Sequence, residues 1–238
     1  MSSLKRRRIG APSAFVLAPT ISRKKRRTFR TGRTRVAGNF GRYNRGGELK
    51  YFDVTHAENN IPTQGAIYNT IIGISQGVGE NERVGRKCTI RSIHWRYNVK
   101  VSESTAEGTP KNGDTVRVIM FLDKQTNGTA ALVSDILSSS NYHSFRNLSN
   151  SGRFNILYDK QHCLNVDGLA VNTAGTAYSN TEVIREFVVN KKVNIPVEFS
   201  NTTGVLTGIK SNNIGILTIS KNGDINMNAR YRLRFSDN

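Results

Sequence analysis

Apolar and polar residues alternate strictly over several stretches of the chain. In the clearest stretch, Ser92–Val101, every second position is apolar, from Ile93 through Trp95 to Val101. The segments Val193–Phe199 and Asn226–Phe235 repeat the pattern. Because successive side chains of a β-strand point to opposite faces, a period of two predicts strands with one buried face.

Other segments rich in apolar and β-branched residues lie between clusters of Gly, Asn, Ser and Thr, which is typical of strands separated by turns. They are Leu49–Thr55, Ile67–Ser75, Thr115–Leu122, Arg153–Asp159, Glu182–Val189 and Gly215–Ile219. Helical periodicity occurs over Ala130–Leu137, which predicts a short helix. About eight strands without a βαβ rhythm favour an all-β fold of two packed sheets, with the eight-stranded jelly-roll sandwich as our prediction.

Charge divides the chain into two regions. The first 45 residues carry 14 Lys or Arg and no Asp or Glu, out of 35 basic and 17 acidic residues in all. The remainder therefore has 21 basic and 17 acidic residues and is nearly neutral. Because a block of cations repels itself and buries little apolar surface, we expect it not to fold alone. We predict a disordered basic arm at residues 1–47 and a jelly-roll domain at residues 48–238.

The arm is expected to bind nucleic acid, because phosphates release counterions when Lys and Arg replace them. The candidate contact residues are Lys5, Arg6, Arg7, Arg8, Arg23, Lys24, Lys25, Arg26, Arg27, Arg30, Arg33, Arg35, Arg42 and Arg45. Phe40 and Tyr43 lie among the last of them, and such rings stack on unpaired bases. A spacer with incidental rings is the alternative.

Two compact basic clusters in the arm are also of the kind that nuclear import receptors bind. The predicted import signal comprises Lys5, Arg6, Arg7, Arg8, Arg23, Lys24, Lys25, Arg26 and Arg27. A third basic group lies near the end of the chain, where Arg230, Arg232 and Arg234 share one face of a predicted strand. Two interpretations of this group stay open: a solvated face paired with Asp and Glu of neighbouring strands, or a basic stripe on the inner face of a shell that continues the arm's surface.

Motifs for catalysis are weak, and we predict no enzyme. Gly73-Ile-Ser75-Gln-Gly77 has the spacing of a hydrolase nucleophile elbow, but a polar glycine-rich loop follows where that motif requires a helix. The segment Gly79–Lys87 has the wrong glycine spacing for a phosphate loop.

Metal or cofactor binding is not predicted either. His56, His94, His143 and His162 are scattered without ligand spacing. Asp53, Asp123, Asp159 and Asp167 are expected at strand ends or turns, where Asp usually accepts backbone hydrogen bonds. A calcium site shared between subunits is the alternative. Cys88 and Cys163 are expected to be reduced, mostly buried thiols.

No apolar run approaches the roughly 18 residues that cross a membrane, so no membrane partner is expected. Phe15–Leu17 is too short for the apolar core of a signal peptide, which favours synthesis in the cytosol.

A set of motifs in chain order carries a resemblance to a known family. After the arginine-rich arm come Glu48–Asp53, Gln76–Lys87, Arg153–Lys160, Lys191–Glu198 and Ala229–Phe235. Together they resemble the capsid proteins of small circular Rep-encoding single-stranded DNA viruses, the group of circoviruses and geminivirus relatives. The loops Ser102–Gly113 and Leu164–Asn180 match nothing in that family, so the resemblance does not identify a host or a receptor.

The resemblance implies a capsid subunit that self-assembles, in roughly sixty copies, into a T=1 icosahedral shell. The arm would bind a packaged single-stranded DNA genome and host nuclear import receptors, which places the protein in the virion and the host nucleus. Satellite RNA viruses of plants use a similar jelly roll and arm, so RNA cargo stays open. The alternative function is a basic-tailed nucleic-acid-binding protein, non-viral or satellite-type, that forms no shell.

Overall fold

The computed structural model describes residues 48–69, 71–101, 113–165, 170–171, 177–178 and 183–237. These residues form eleven strands: β1 (Leu49–Asn60), β2 (Ala66–Tyr68), β3 (Lys87–Val101), β4 (Gly113–Asp123), β5 (Phe154–Asn165), β6 (Ala170–Val171), β7 (Ala177–Tyr178), β8 (Ile184–Phe199), β9 (Ile209–Ser211), β10 (Asn213–Ser220) and β11 (Ile225–Asp237). A four-residue helix, α1 (Val133–Ile136), and a 3-10 turn at Leu206–Gly208 complete the regular structure of these ranges. No helix in them is long and apolar enough to span a membrane.

The long strands form two antiparallel sheets. The five-stranded sheet has the order β1-β11-β3-β8-β9, and the four-stranded sheet has the order β2-β10-β4-β5. The chain changes sheets between β1 and β2, between β2 and β3, and between β3 and β4, and it changes again after β5. It also changes between β9 and β10 and between β10 and β11. Apart from the short edge strand β9, the two sheets have four strands each, and eight strands in this order form a jelly roll, which confirms the predicted fold class.

The main core lies between the sheets and is built from the inward positions of the alternating strands. On β3 and β11 the fully buried side chains include Trp95, Tyr97 and Tyr231. The Trp95 ring stacks on Tyr97 with centroids 4.3 Å apart and on Tyr231 at 5.6 Å. The strict period of two therefore corresponds to one buried face, as predicted.

A second, smaller core covers the outward face of the four-stranded sheet. Ile119, Phe121 and Leu217 pack there against side chains that follow β4 or begin β5, namely Ala131, Ile136, Leu137 and Phe154. All eight residues of β10 are buried, since this strand has apolar contacts on both faces. At Gly215, opposite Phe121, an added Cβ would lie 2.4 Å from the Phe121 ring, so glycine makes room for that ring.

The predicted helix is present as α1, but three of the predicted strands need correction. Glu182–Val189 and Val193–Phe199 were expected as separate strands and form the single strand β8, whose register with β3 shifts between Ile90 and Ser92. The predicted strand Ile67–Ser75 is wrong beyond β2. Its apolar residues Ile71, Ile72 and Ile74 are buried as parts of a turn and loop that enter the main core.

Candidate nucleic-acid interface

The 14 basic residues of the predicted arm, Lys5 to Arg45, lie outside the described residues, and so do both clusters of the predicted import signal. Their roles stay predictions. The other predicted basic group, Arg230, Arg232 and Arg234 on β11, lies within the described chain.

These three arginines occupy the outward face of the five-stranded sheet. All three are exposed, and they alternate with the buried residues Tyr231, Leu233 and Phe235. Packing of the apolar side chains between the sheets therefore fixes the direction of the arginines. In contrast to the four-stranded sheet, the described chain places no second core over this face.

Arg232 is paired within the chain. Its Nε donates to Asp53 Oδ1 at 2.8 Å and its Nη2 donates to Asp53 Oδ2 at 2.6 Å, a bidentate arrangement. The hydrogen bonds from Arg232 lower the pKa of Asp53 below its usual value, and the same bonds raise the pKa of Arg232. The guanidinium also lies 5.4 Å from the centre of the Tyr51 ring. Arg232 therefore fits the first of the two interpretations, a solvated side chain paired with a carboxylate of a neighbouring strand.

Arg230 has a different environment. In the register of β11 and β3 it lies directly opposite Arg96, which is also exposed. In the described part of the chain neither side chain has an ion pair with a carboxylate. Arg96 Nε instead approaches His94 Nε2 at 3.4 Å. Two unneutralised guanidinium groups therefore stand side by side, which costs free energy when nothing negative lies between them.

A groove of about 350 Å³ runs across these side chains. Its lining includes Asp53, Thr55, His94, Arg96, Arg230 and Arg232. A neighbouring groove of about 230 Å³ shares Arg96 and Arg230 and is also lined by Glu186 and Val188. Three arginines against one carboxylate give the first groove a positive potential, so it is suited to bind an oxyanion.

His94 and Arg96 were not among the predicted site residues. The sequence did carry a signal for them, because both occupy the polar face of the alternating segment Ser92–Val101. That β3 lies beside β11, and that Arg96 faces Arg230, depends on strand order and register, which the local pattern does not specify.

The carboxylates named as candidates are ion-paired where they are described. Arg117 contacts Asp159 at 2.6 Å, Arg153 contacts Asp123 at 2.8 Å, and Asp53 binds Arg232. The prediction of a strand-end or turn role is wrong for Asp53 and Asp159, which lie inside β1 and β5. Asp167 lies outside the described residues. Among the described residues, no group of three or more His, Cys, Asp or Glu is placed to hold a metal ion.

Two histidines are half-buried between the sheets. His56 packs edge-on against Tyr68 with ring centroids 4.4 Å apart, and burial lowers its pKa. His162 Nε2 lies 2.8 Å from the Tyr97 hydroxyl, and the ring stacks on Phe187 at 3.8 Å. Burial is the main cause that lowers the pKa of His162.

Both cysteines are free thiols, but the prediction that they are buried holds for Cys88 only. Cys88 is buried in β3 as a free thiol, and burial raises its pKa to about 12. Cys163 is a free thiol too, but it is exposed. The prediction of burial failed there because Cys163 lies on the outward face of β5, between the inward-facing residues His162 and Leu164.

The two loop motifs have structural explanations. Ser75 lies in a loop, and the residues directly after it form bends and turns instead of a helix, so the geometry of a nucleophile elbow is missing. Within Gly79–Lys87, Arg83 is fully buried. Its guanidinium donates to the main-chain oxygens of Ile74, Gly85 and Asn201 and lies 4.1 Å from the centre of the Phe199 ring.

The strand order defines a jelly-roll protein of the viral capsid type, with one sheet face left basic. The chain belongs to the satellite tobacco necrosis virus coat protein family, whose model matches residues 21–238. It therefore has a capsid-forming, structural role in the virion.

Two relatives and one solved structure illustrate the range of similarity. The chain is 30% identical over 125 residues to the coat protein of Maize white line mosaic Satellite virus, a match covering 52% of this chain and 55% of that protein. It is 25% identical over 179 residues to the capsid protein of Satellite tobacco necrosis virus 1, covering 74% and 79%. A solved structure of desmodium yellow mottle tymovirus aligns with a TM-score of 0.33 and 9% identity, covering 99% of this chain and 94% of that one.

The prediction of a viral capsid protein is thus confirmed, while the family named from the resemblance is wrong. The match is to a satellite virus coat protein family and not to the circular single-stranded DNA viruses. The error has a simple origin, because each motif behind the resemblance is weak and an arginine-rich arm before alternating strands is not specific to one group of viruses.

Proposed function

We propose that this coat protein assembles into a T=1 icosahedral shell of roughly sixty copies around a single-stranded RNA genome, which it binds through the basic arm of residues 1–47. The observation that carries the proposal is the division of charge, with 14 basic and no acidic residues in the first 45 positions and a nearly neutral remainder. A neutral domain suits contacts between like copies, and a cationic arm suits a polyanion.

RNA replaces DNA as the proposed cargo because the family is that of a satellite virus. The single-stranded DNA prediction depended on the resemblance that the family match overturned. The arm itself distinguishes the two poorly, since Lys and Arg contact phosphates that both nucleic acids carry.

The arm charge is large enough for this task. Roughly sixty arms with 14 basic residues each would supply about 840 positive charges to phosphates inside the shell. Because these contacts involve no base edges, we expect binding that weakens steeply with salt and depends little on sequence.

The first experiment is purification of the full-length chain, followed by size-exclusion chromatography with light scattering and negative-stain imaging. We expect megadalton particles of one diameter whose extracted nucleic acid is digested by RNase and resists DNase. DNase-sensitive cargo would contradict the RNA assignment. A species near the mass of one or two chains, which binds RNA without assembling, would contradict the shell and favour the basic-tailed binding protein.

A second experiment assigns cargo binding to the arm. Deletion of residues 1–45 should abolish nucleic-acid retention and leave the β-rich circular dichroism spectrum unchanged, because the strands and the core of the described residues lie within 48–237. Deletion of residues 9–22, which include no charged residue, is the matched control and should preserve retention. Retention after loss of residues 1–45 would refute the arm as the binding segment.

We keep nuclear import as a separate proposal that depends on the clusters Lys5–Arg8 and Arg23–Arg27 alone. A fluorescent reporter fused to residues 1–30 should accumulate in the nucleus of a host cell. Replacement of the four basic residues Lys5–Arg8 and the five residues Arg23–Arg27 by Gln should abolish that accumulation. A wild-type fusion that stays in the cytosol would remove the import role without affecting the capsid assignment.

A further inference from the structure

We propose that Arg96 and Arg230 together hold a backbone phosphate of the packaged nucleic acid, which makes the outward face of the five-stranded sheet the inner surface of the shell. This inference rests on the proposed function and names a second contact surface besides the arm.

The first support is the unneutralised arginine pair. Arg230 and Arg96 are direct cross-strand partners, and like charges in such positions repel each other. Arg232, the next outward residue of β11, has its charge neutralised, since it donates two hydrogen bonds to Asp53 of β1. Glu186, which lines the neighbouring groove, makes no ion pair with either arginine. An oxyanion between the two guanidinium groups would convert their repulsion into two attractive contacts.

The second support is the set of donors around the pair. Thr55 of β1 lies directly opposite Arg230, so a hydroxyl, two guanidinium groups and the groove form one row across three strands. Arg96 Nε donates to His94 Nε2, which orients that side chain and leaves its other N–H groups for a ligand. Planar guanidinium groups bind phosphate oxygens in pairs, which point-like ammonium groups do not.

The third support is an aromatic ring on the same face. Tyr51 is 43% exposed, although it is a large apolar side chain, and it lies directly opposite Arg234. Surfaces for single-stranded nucleic acid combine a cationic groove with exposed rings on which bases stack. An acidic protein segment would need the cations but not the ring, so the face fits nucleic acid better.

Carboxylates of a second copy are the competing occupant, and the ion pairs weigh against them. Six acidic residues of the described chain already pair with basic side chains of the same chain: Asp53, Glu58, Asp123, Asp159, Glu198 and Asp237. These pairs remove six of the 17 acidic residues from those that a partner copy could offer to Arg96 and Arg230. Nucleic acid, which carries one charge per nucleotide, has no such limit.

The test compares full-length R96Q/R230Q with wild type in binding a short labelled single-stranded RNA over a series of NaCl concentrations. We expect roughly tenfold weaker binding near physiological salt. The slope of log affinity against log salt should fall by about 0.7, the contribution of one single-strand phosphate. The variant R96K/R230K should keep the slope, because it keeps both charges.

The matched control is K160Q/K221Q, which removes the same charge from two exposed lysines on and beside the four-stranded sheet. It should bind RNA like wild type. An equal loss in both double variants would show a general effect of net charge and overturn the proposal. An unchanged slope in R96Q/R230Q would overturn it too, while RNA-filled particles of that variant would leave the proposed function intact.

Two further outcomes would assign the pair to other ligands and overturn the proposal. If the pair binds a backbone phosphate, inorganic phosphate should displace RNA from wild type better than chloride does at equal ionic strength, and this advantage should disappear in R96Q/R230Q. Binding of inorganic phosphate that is lost in R96Q/R230Q while the RNA slope is unchanged would indicate a free anion. Failed assembly of R96Q/R230Q with unchanged RNA affinity would indicate a second copy. Failure of wild type to bind RNA or form particles would instead refute the proposed function.

Discussion

The outward faces of the two sheets of this jelly roll differ, since one is apolar and covered and the other is basic and exposed. On the four-stranded sheet, Phe121 and Leu217 point away from the main core and are covered by residues of the chain between β4 and the start of β5. On the five-stranded sheet, β11 presents Arg230, Arg232 and Arg234 to solvent. One face is thus covered by the chain itself, and the other carries charge that the described chain neutralises only in part. The difference indicates which face is available to a ligand.

The largest effect that tests this comparison is expected at Phe121. Phe121→Ala should lower the free energy of unfolding by about 3 to 5 kcal/mol, because it leaves a cavity in the second core. Val188→Ala, on the open face at 59% exposure, should change it by less than about 0.5 kcal/mol. Chemical denaturation measures both values. Similar values for the two variants would mean that the covering segment contributes little packing.

A smaller effect is expected from two ion pairs of similar geometry and different burial. Arg153 binds Asp123, which is 1% exposed, whereas Arg232 and Asp53 are 54% and 47% exposed. Arg153→Ala should cost about 2 to 3 kcal/mol, because a buried carboxylate loses its counter-charge. Arg232→Ala should leave the denaturation midpoint nearly unchanged, since solvent screens that pair. A large loss at Arg232 would mean that the open face does contribute to stability.

A still smaller effect on the free energy of unfolding is expected when a change of pH protonates His162, which lies between the two sheets. His162 of β5 contacts Tyr97 of β3 and Phe187 of β8. The Tyr97 hydroxyl is also hydrogen-bonded to the Tyr158 hydroxyl. The charged side chains near His162 are those of Arg185 and Lys160. Its pKa is lowered in the folded protein, so below about pH 6.5 the unfolded chain binds more protons and stability falls as pH falls.

The measurement that tests the role of His162 is the urea midpoint of wild type and His162→Gln at pH 7 and pH 5. The wild type should lose stability between these values, and the variant should lose less. His56, whose pKa is lowered by burial as well, keeps part of the dependence in the variant. Identical losses in both proteins would show that His162 does not titrate in this window.

The sequence predicts the open face better than the covered one. On β11 apolar and basic residues alternate, so the pattern identifies both the strand and the shared face of its arginines. On β10 both faces are buried, one in each core. The prediction Gly215–Ile219 identified the strand, but it did not indicate that the outward face is buried as well. The cover over Phe121 includes Ala131, Ile136 and Leu137, which lie in the stretch that the sequence predicts as a short helix. Its contacts with the sheet join distant parts of the chain and leave no local pattern.

The candidate site shows the same limit. The arginines of β11 were predicted from their spacing, but the opposition of Arg96 and Arg230 requires the register of two strands more than a hundred residues apart. The family was misassigned for a related reason, since each motif was weak and the order of arm and strands is shared by more than one group of coat proteins.

Arg83 has a consequence for how this protein tolerates sequence change. Its buried guanidinium joins two loops by hydrogen bonds to main-chain oxygens, including those of Gly85 and Asn201. Main-chain acceptors are present whatever side chain a position carries, so mutations at those acceptor positions leave the bonds available. A mutation of Arg83 removes all of them at once. The side chains at the acceptor positions can therefore change while Arg83 maintains the contact between the two loops.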